Sequence, residues 1–321
     1  MNLSKYTIYW FNTYRKARQR PTTQITSQSI INTHIVNSTL GEMNISDINT
    51  EDIQEFLVHL LLHGNKCKIK SMNKEGSPLS HNTVNKVRQI LIAVFESAIR
   101  DKLISVNPAK YTFAISEEWS DKPVFTVEMQ KKFLEAAKNK KYYIAYIILF
   151  FSGIRRSELL GLSWDNIDLR KNIIKINQTL VMLKGKPQLC LSTKTKNSIR
   201  NIPIPKDIKI LLSELKKTQK EKQISNEHNL VFINNDGSPY NPNNFSRNFK
   251  NLLKKLGFNN KLHLHSTRHT WATNMVQLGV PITDIQHLGG WSDCSILLDI
   301  YAHSVNKSQR RATNKLFKQY F

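Results

Sequence analysis

Cysteine is scarce in this chain. Cys67, Cys190 and Cys294 are the three found in 321 residues; they lie far apart and lack the close spacing that metal sites use. This excludes a disulfide framework or a cysteine-held zinc as the organising feature and places the chain in a reducing cytoplasm. Long apolar runs are lacking too. The longest, Tyr142 to Phe151, falls well short of the roughly 20 residues that a bilayer-spanning helix needs, so it is expected as a buried core helix. Lys5, Asn12 and Arg15 interrupt the apolar residues at the N-terminus, which argues against a secretory signal. No internal repeat occurs, so a solenoid is excluded. Acidic residues are outnumbered, 24 against 47 Lys and Arg, for a formal charge of +23. Such an imbalance says little about fold. It favours a polyanion, nucleic acid, as partner over a membrane.

What is present suffices for two globular domains, with 40% hydrophobic and 9% aromatic residues. Tyr6, Trp10 and Tyr14 recur at helical spacing, and a second helix follows Thr26 with Ile30, Ile31 and Ile35, before a turn at Leu40-Gly41. Ile53, Phe56, Leu57, Leu60 and Leu61 mark a third helix. The stretch from Gly64 to Ser80 is a solvated loop, and Ser80 caps a long helix whose apolar stripe runs from Val84 to Ala98. Asn107-Pro108 ends that helix. The expected organisation is a helical domain over 1–107, a linker over 108–123 and a second domain over 124–321. In the second domain, Thr126 caps a helix reaching about Lys138. Alternation changes to a strand pattern between Ile173 and Pro205: Ile174 and Ile176, then Leu189 and Leu191, then Ile199, Ile202 and Ile204, with Gly185 and Pro187 at a turn. Helices resume after Pro205, Pro242 and His265. The fold class is mainly α with a small antiparallel β-sheet, expected as one meander.

Three segments carry chemistry. The first is Ser152-Gly153-Ile154-Arg155-Arg156-Ser157-Glu158-Leu159, the second His265-Ser266-Thr267-Arg268-His269-Thr270, and the third runs from Leu288-Gly289-Gly290-Trp291 to Ile300-Tyr301-Ala302-His303. In this order, behind a small helical domain, they resemble the motif set of the tyrosine recombinase (phage integrase) family. The resemblance spans essentially the whole chain. It implies an N-terminal SAM-like core-site-binding domain and a C-terminal α+β catalytic domain that cuts and rejoins DNA. Many integrases carry an arm-DNA-binding domain ahead of the core-binding one. Here core-like helices begin almost at Met1, so either a simpler recombinase or a shortened chain is expected.

The chemistry explains the residue types. The five-coordinate transition state of a phosphodiester gathers charge on its nonbridging oxygens, and planar guanidinium forks answer it best where no metal does. Arg155 and Arg268 are the candidate clamp, whereas Arg156 points to another helix face and is structural or solvated. Tyr301 is the nucleophile that the resemblance implies; it would form a 3′-phosphotyrosine and release a 5′ hydroxyl, so that rejoining needs no ATP. The resemblance also implies a lysine as acid for the leaving oxygen, which matches Lys194, with Lys196 as its rival. Lys194, Lys196 and Arg200 are also candidate contacts to the DNA backbone. His265 suits proton shuttling or phosphate contact, while His269 is expected to pack and His263 to border the site. Trp291 stands where many family members have histidine; its indole N–H can donate to phosphate but cannot act as acid or base. Glu158 matches an acidic residue that orients the catalytic groups, or else it is a helix-surface carboxylate. His263, His265 and His269 have no carboxylate at ligand spacing. Neither metal nor cofactor is expected.

The implied partners are double-stranded DNA at specific attachment sites and other copies of the chain. A basic tail from His303 to Phe321 would dock on a neighbour, four protomers would act on two sites, and accessory DNA-bending or directionality proteins would assist integration or excision. Lys86 and Arg88 on the long N-terminal helix face either a DNA groove or solvent. Two other functions share these motifs: a DNA-binding regulator of the same fold without catalysis, and a strand cutter of the type IB topoisomerase kind.

Overall fold

A computed structural model of the chain describes residues 1–66, 75–116, 123–183, 185–191, 199–295, 297, 298, 300 and 317. The chain divides into two compact units, Met1–Ser120 and Asp121–Phe321.

The first unit is helical. Its main helices are α1 (Leu3–Trp10), α2 (Pro21–Ile30), α3 (Thr39–Glu42), α4 (Thr50–His63) and α5 (His81–Arg100). Local side chains fix their starts. Asn49 and Asp52 form a reciprocal capping box on α4, and the Ser80 hydroxyl accepts from the Thr83 N–H at the start of α5. The apolar stripe of α5, Val84 through Ala98, is fully buried and packs with Tyr6, Ile35, Ile53 and Leu57. Two departures from the sequence reading have simple causes. Helix α2 begins at Pro21 rather than after Thr26, because a proline's fixed φ suits the first helical position. Residues 108–116, expected as linker, instead belong to this unit. Ala109 is fully buried, the Phe113 N–H donates to Gln54 Oε1, and Arg88 donates to Thr112 through Nε (2.8 Å) and Nη2 (2.6 Å). Two of the three Arg88 nitrogens are thereby held by its own chain.

The second unit is mainly α with small antiparallel sheets. Helix α6 (Val127–Ala137) is capped by Thr126, and α7 (Tyr143–Ser152) is the buried apolar helix. Phe133, Tyr146, Phe150, Phe245 and Phe249 pack edge-on or tilted around it, with ring centroids 4.7–5.7 Å apart. After α8 (Arg156–Leu160) come strands β1 (Ile167–Asp168), β2 (Ile173–Ile176), β3 (Gln178–Leu183), β4 (Lys186–Leu191) and β5 (Arg200–Pro203). They form two sheets, not one meander: β1-β2-β5 with Ile174 opposite Ile202, and a separate β3–β4 hairpin with Leu180 opposite Leu189. The chain leaves the first sheet at Asn177, whose amide donates to Asn166. Gln178 then donates to the Gly161 carbonyl at 2.6 Å, which draws β3 against α8. Helices α9 (Lys206–Glu221), α10 (Pro242–Lys255), α11 (Leu264–Gln277) and α12 (Ile282–Gly289) follow. Among the described residues no helix is long and apolar enough to cross a membrane.

Candidate active site

The site begins where α7 stops. Gly153 caps that helix with φ +62, a conformation that favours glycine, and a Cβ there would meet the Trp271 ring at 2.3 Å. The chain then extends through buried Ile154 to Arg155, the N-cap of α8. Arg155 and Glu158 bond twice: the Arg155 backbone N–H donates to Oε2 (3.0 Å) and its Nη1 to Oε1 (2.7 Å). Arg155 Nη2 reaches across to the Gly290 carbonyl at 2.7 Å.

Arg268, on α11, is 1% exposed. Its Nη1 donates to the carbonyls of Gly153 (2.7 Å) and Gly289 (2.6 Å), and its guanidinium carbon lies 3.5 Å from the centre of the Trp291 ring. That is cation–π geometry. Trp291 is in turn stacked near-parallel on Trp271, at 6.2 Å. Arg268 Nε and Nη2 are buried and have no hydrogen-bond partner among the described residues. Burial, and after it the neighbouring charge of Arg155, pulls the Arg268 pKa down to about 8. Such a shift signals a cation short of negative charge.

Arg200, expected at the DNA backbone, is placed elsewhere. Its side chain has no exposed surface. Nη1 and Nη2 donate to the two Glu158 oxygens at 3.2 and 2.8 Å, and Nε donates to the Leu288 carbonyl at 2.6 Å. Enclosure on every donor nitrogen takes Arg200 away from any phosphate, and this corrects the expectation. Glu158 is correspondingly a buried carboxylate, 3% exposed, not a surface one.

These contacts share a target that the sequence did not disclose. Arg200, Arg268 and Arg155 donate to three consecutive carbonyls, those of Leu288, Gly289 and Gly290. They come from three separate segments and meet at the C-terminal end of α12, where a helix exposes unsatisfied carbonyls and the negative end of its dipole. The chain leaving that end carries Trp291.

His265 is exposed and lines one cleft of about 430 Å³ together with Arg155 and Arg268. Its ring stands edge-on to that of buried His269 at 4.7 Å and lies 6.4 Å from that of His263. Among the described residues no three His, Cys, Asp or Glu are grouped to hold a metal. Lys194, Lys196 and Tyr301 lie outside the described residues. Thus the structure brings Arg155, His265, Arg268, Trp291 and Glu158 together and moves Arg200 inward.

Glu158 carries a consequence for acid stability. Burial raises its pKa, but the hydrogen bonds and charge of Arg200, followed by the charge of Arg155, outweigh burial and hold it below its ordinary 4.5. A carboxyl depressed by folding supports the fold fully above its unfolded pKa and loses that support as pH falls through the folded value. The unit's melting temperature is therefore expected to be steady from neutral pH to about 5 and to fall below about 4.5. Calorimetry across that range checks this, and a Glu158→Gln variant should show a blunted fall.

A family model described as "Phage integrase family" matches residues 123–308, and one described as "Phage integrase, N-terminal SAM-like domain" matches residues 2–61. A "Tyrosine recombinase XerC-like" protein of Caldanaerobacter subterraneus subsp. tengcongensis is 27% identical over 259 residues, 74% of this chain. The match spans 66% of that relative's own length, just under two thirds. In fold, the chain resembles a Tn1549 transposon integrase solved in complex with a circular intermediate DNA: TM-score 0.81, 22% identity, 98% of this chain and 99% of that one. It also resembles a lambda integrase tetramer bound to a Holliday junction: TM-score 0.64, 17% identity, 92% and 79% covered. With the catalytic-domain model alone covering more than half of it, the chain belongs to the phage integrase family.

Proposed function

We propose that this chain is a site-specific DNA recombinase that integrates or excises a phage or mobile element by tyrosine transesterification. The observation that carries the reading is the unpartnered edge of Arg268: two donors of a buried cation beside Arg155, at a cleft that His265 also lines. A buried donor left unbonded costs about 1–3 kcal/mol, and a nonbridging phosphate oxygen would satisfy it. Arg155 and Arg268 would clamp the scissile phosphate. Trp291 would hold the plane of the Arg268 guanidinium from below, a different part from the direct phosphate contact expected of its indole.

In the proposed step the Tyr301 oxygen attacks phosphorus, its proton passing toward His265, while the bond from phosphorus to the 5′ oxygen breaks. The departing 5′ oxygen takes a proton from Lys194, with Lys196 as the other lysine available. The product is a 3′-phosphotyrosine, and attack by a 5′ hydroxyl reverses the step. The proposed substrate is duplex DNA at specific attachment sites, held by a tetramer in the cytoplasm, with accessory proteins setting direction. The test uses a nicked duplex spanning the junction sequences that flank the gene. A covalent protein–DNA adduct resistant to denaturation is expected, abolished by Tyr301→Phe with binding retained. Binding without any adduct from the native chain would refute the catalytic reading.

A further inference from the structure

The cleft beside Arg155 and Arg268 does not end with them. It continues between α8 and α10, where Arg156, Ser246, Lys250 and His263 line it. Arg155 and Arg156 are neighbours with diverging side chains. Arg155 reaches to Gly290, whereas Arg156 Nη1 donates to Ser246 Oγ at 2.6 Å and to the Pro242 carbonyl at 3.5 Å. That anchors Arg156 by one nitrogen, and no protein group among the described residues takes its Nε or Nη2. His263 Nδ1 donates to the Lys261 carbonyl at 3.0 Å, with Ser266 Oγ 3.1 Å from it, which fixes the ring at the cleft. Among the described residues no carboxylate lines the cleft. Glu158, on the same short helix, is spent on Arg200 and Arg155.

A cleft lined by Arg155, Arg156, Lys250 and Arg268 and, among the described residues, by no acid suits two anions rather than one. Phosphates recur along one DNA strand every ~3.4 Å of helix axis, so an arginine pair that splays in two directions matches consecutive linkages. We propose that Arg156, with Lys250, forms a second phosphodiester subsite that takes the phosphate next to the scissile one on the cleaved strand. The inference rests on the reading under Proposed function.

The test measures calorimetric binding of TpT (one linkage) and TpTpT (two linkages) to the full chain at low salt. The native protein is expected to bind TpTpT about tenfold tighter than TpT, as one added charge-assisted contact gives. Arg156→Gln should remove that advantage and leave TpT binding within about twofold of native; Lys250→Gln should reduce the advantage in part. TpTpT with a neutral methylphosphonate at its second linkage should bind the native protein no better than TpT. The subsite is overturned if that neutral ligand keeps the advantage, which would mean the cleft takes a base, or if Arg156→Gln leaves the advantage intact or weakens both ligands alike. Failure of the underlying reading looks different. Arg268→Lys would then bind TpT as well as native does, whatever the ratio between the two ligands.

Discussion

Replacing Arg268 by lysine is expected to lower the rate of covalent strand cleavage about 10²–10³-fold, the usual loss when a preorganised oxyanion donor is removed. Lysine keeps the charge but not the fork. Arg268 uses one nitrogen to bridge the Gly153 and Gly289 carbonyls, and its plane is fixed over Trp291, so its other two donors face one direction without moving. A lysine ammonium can meet the carbonyls or the phosphate, not both with that alignment. The free protein bears a cost for this arrangement, because a buried cation with two donors unmet among the described residues destabilises the fold at neutral pH. An oxyanion should relieve the cost. Sulfate at ten times its Kd would stabilise the native protein by about 1.4 kcal/mol, or roughly 3–6 °C for a domain of this size. Arg268→Lys should lose most of that gain. Cleavage by the lysine variant at near-native rate, or an undiminished response to sulfate, would show that this guanidinium is not the phosphate clamp.

Much of this arrangement is legible in the sequence because it is local. Ser80 and Thr126 cap helices through side chains three residues from their partners. His265 and Arg268 stand at i, i+3, one face of a helix, so both can border the same cleft. Arg200 was within reach of the same reasoning. It shares parity with Ile202 and Ile204, and a strand turns alternate residues to one side; the inward set is therefore 200, 202 and 204, with Ile199 half exposed on the other face. Hydrophobicity concealed it, since Ile199 looks like a core residue and Arg200 like a surface one. The convergence of three arginines on α12 is of another kind. Arg155 and Gly290 are 135 residues apart, and Arg200 and Leu288 are 88 apart. No periodicity reports contacts set by tertiary packing. The split of the expected meander has the same origin, because β2 pairs with distant β5 rather than adjacent β3.

The inward placement of Arg200 leads to the second large effect. Arg200→Met is expected to destabilise the second unit by about 3–5 kcal/mol, the cost of breaking a buried ion pair. In a domain of this size that lowers the melting temperature by roughly 6–20 °C. The substitution strips Glu158 of its fully buried partner, leaving the side chain of Arg155, which is 37% exposed, and it orphans the Leu288 carbonyl. Changing Glu158 to Met as well should restore much of the lost stability, since neither partner of that ion pair is then left inside without the other. Activity should not follow. Without Glu158 nothing fixes Arg155 at its backbone and guanidinium together, and without Arg200 one of the three ties on the end of α12 is gone, just ahead of Trp291 and Tyr301. The double variant is therefore expected to melt near the native temperature while forming far less covalent adduct. If Arg200→Met melts within about 2 °C of native, less than 1 kcal/mol by the same scaling, the pair is not what holds α12 to the site. Recovery of adduct formation together with stability in the double variant would show instead that the buried pair serves the fold and does not position the catalytic groups.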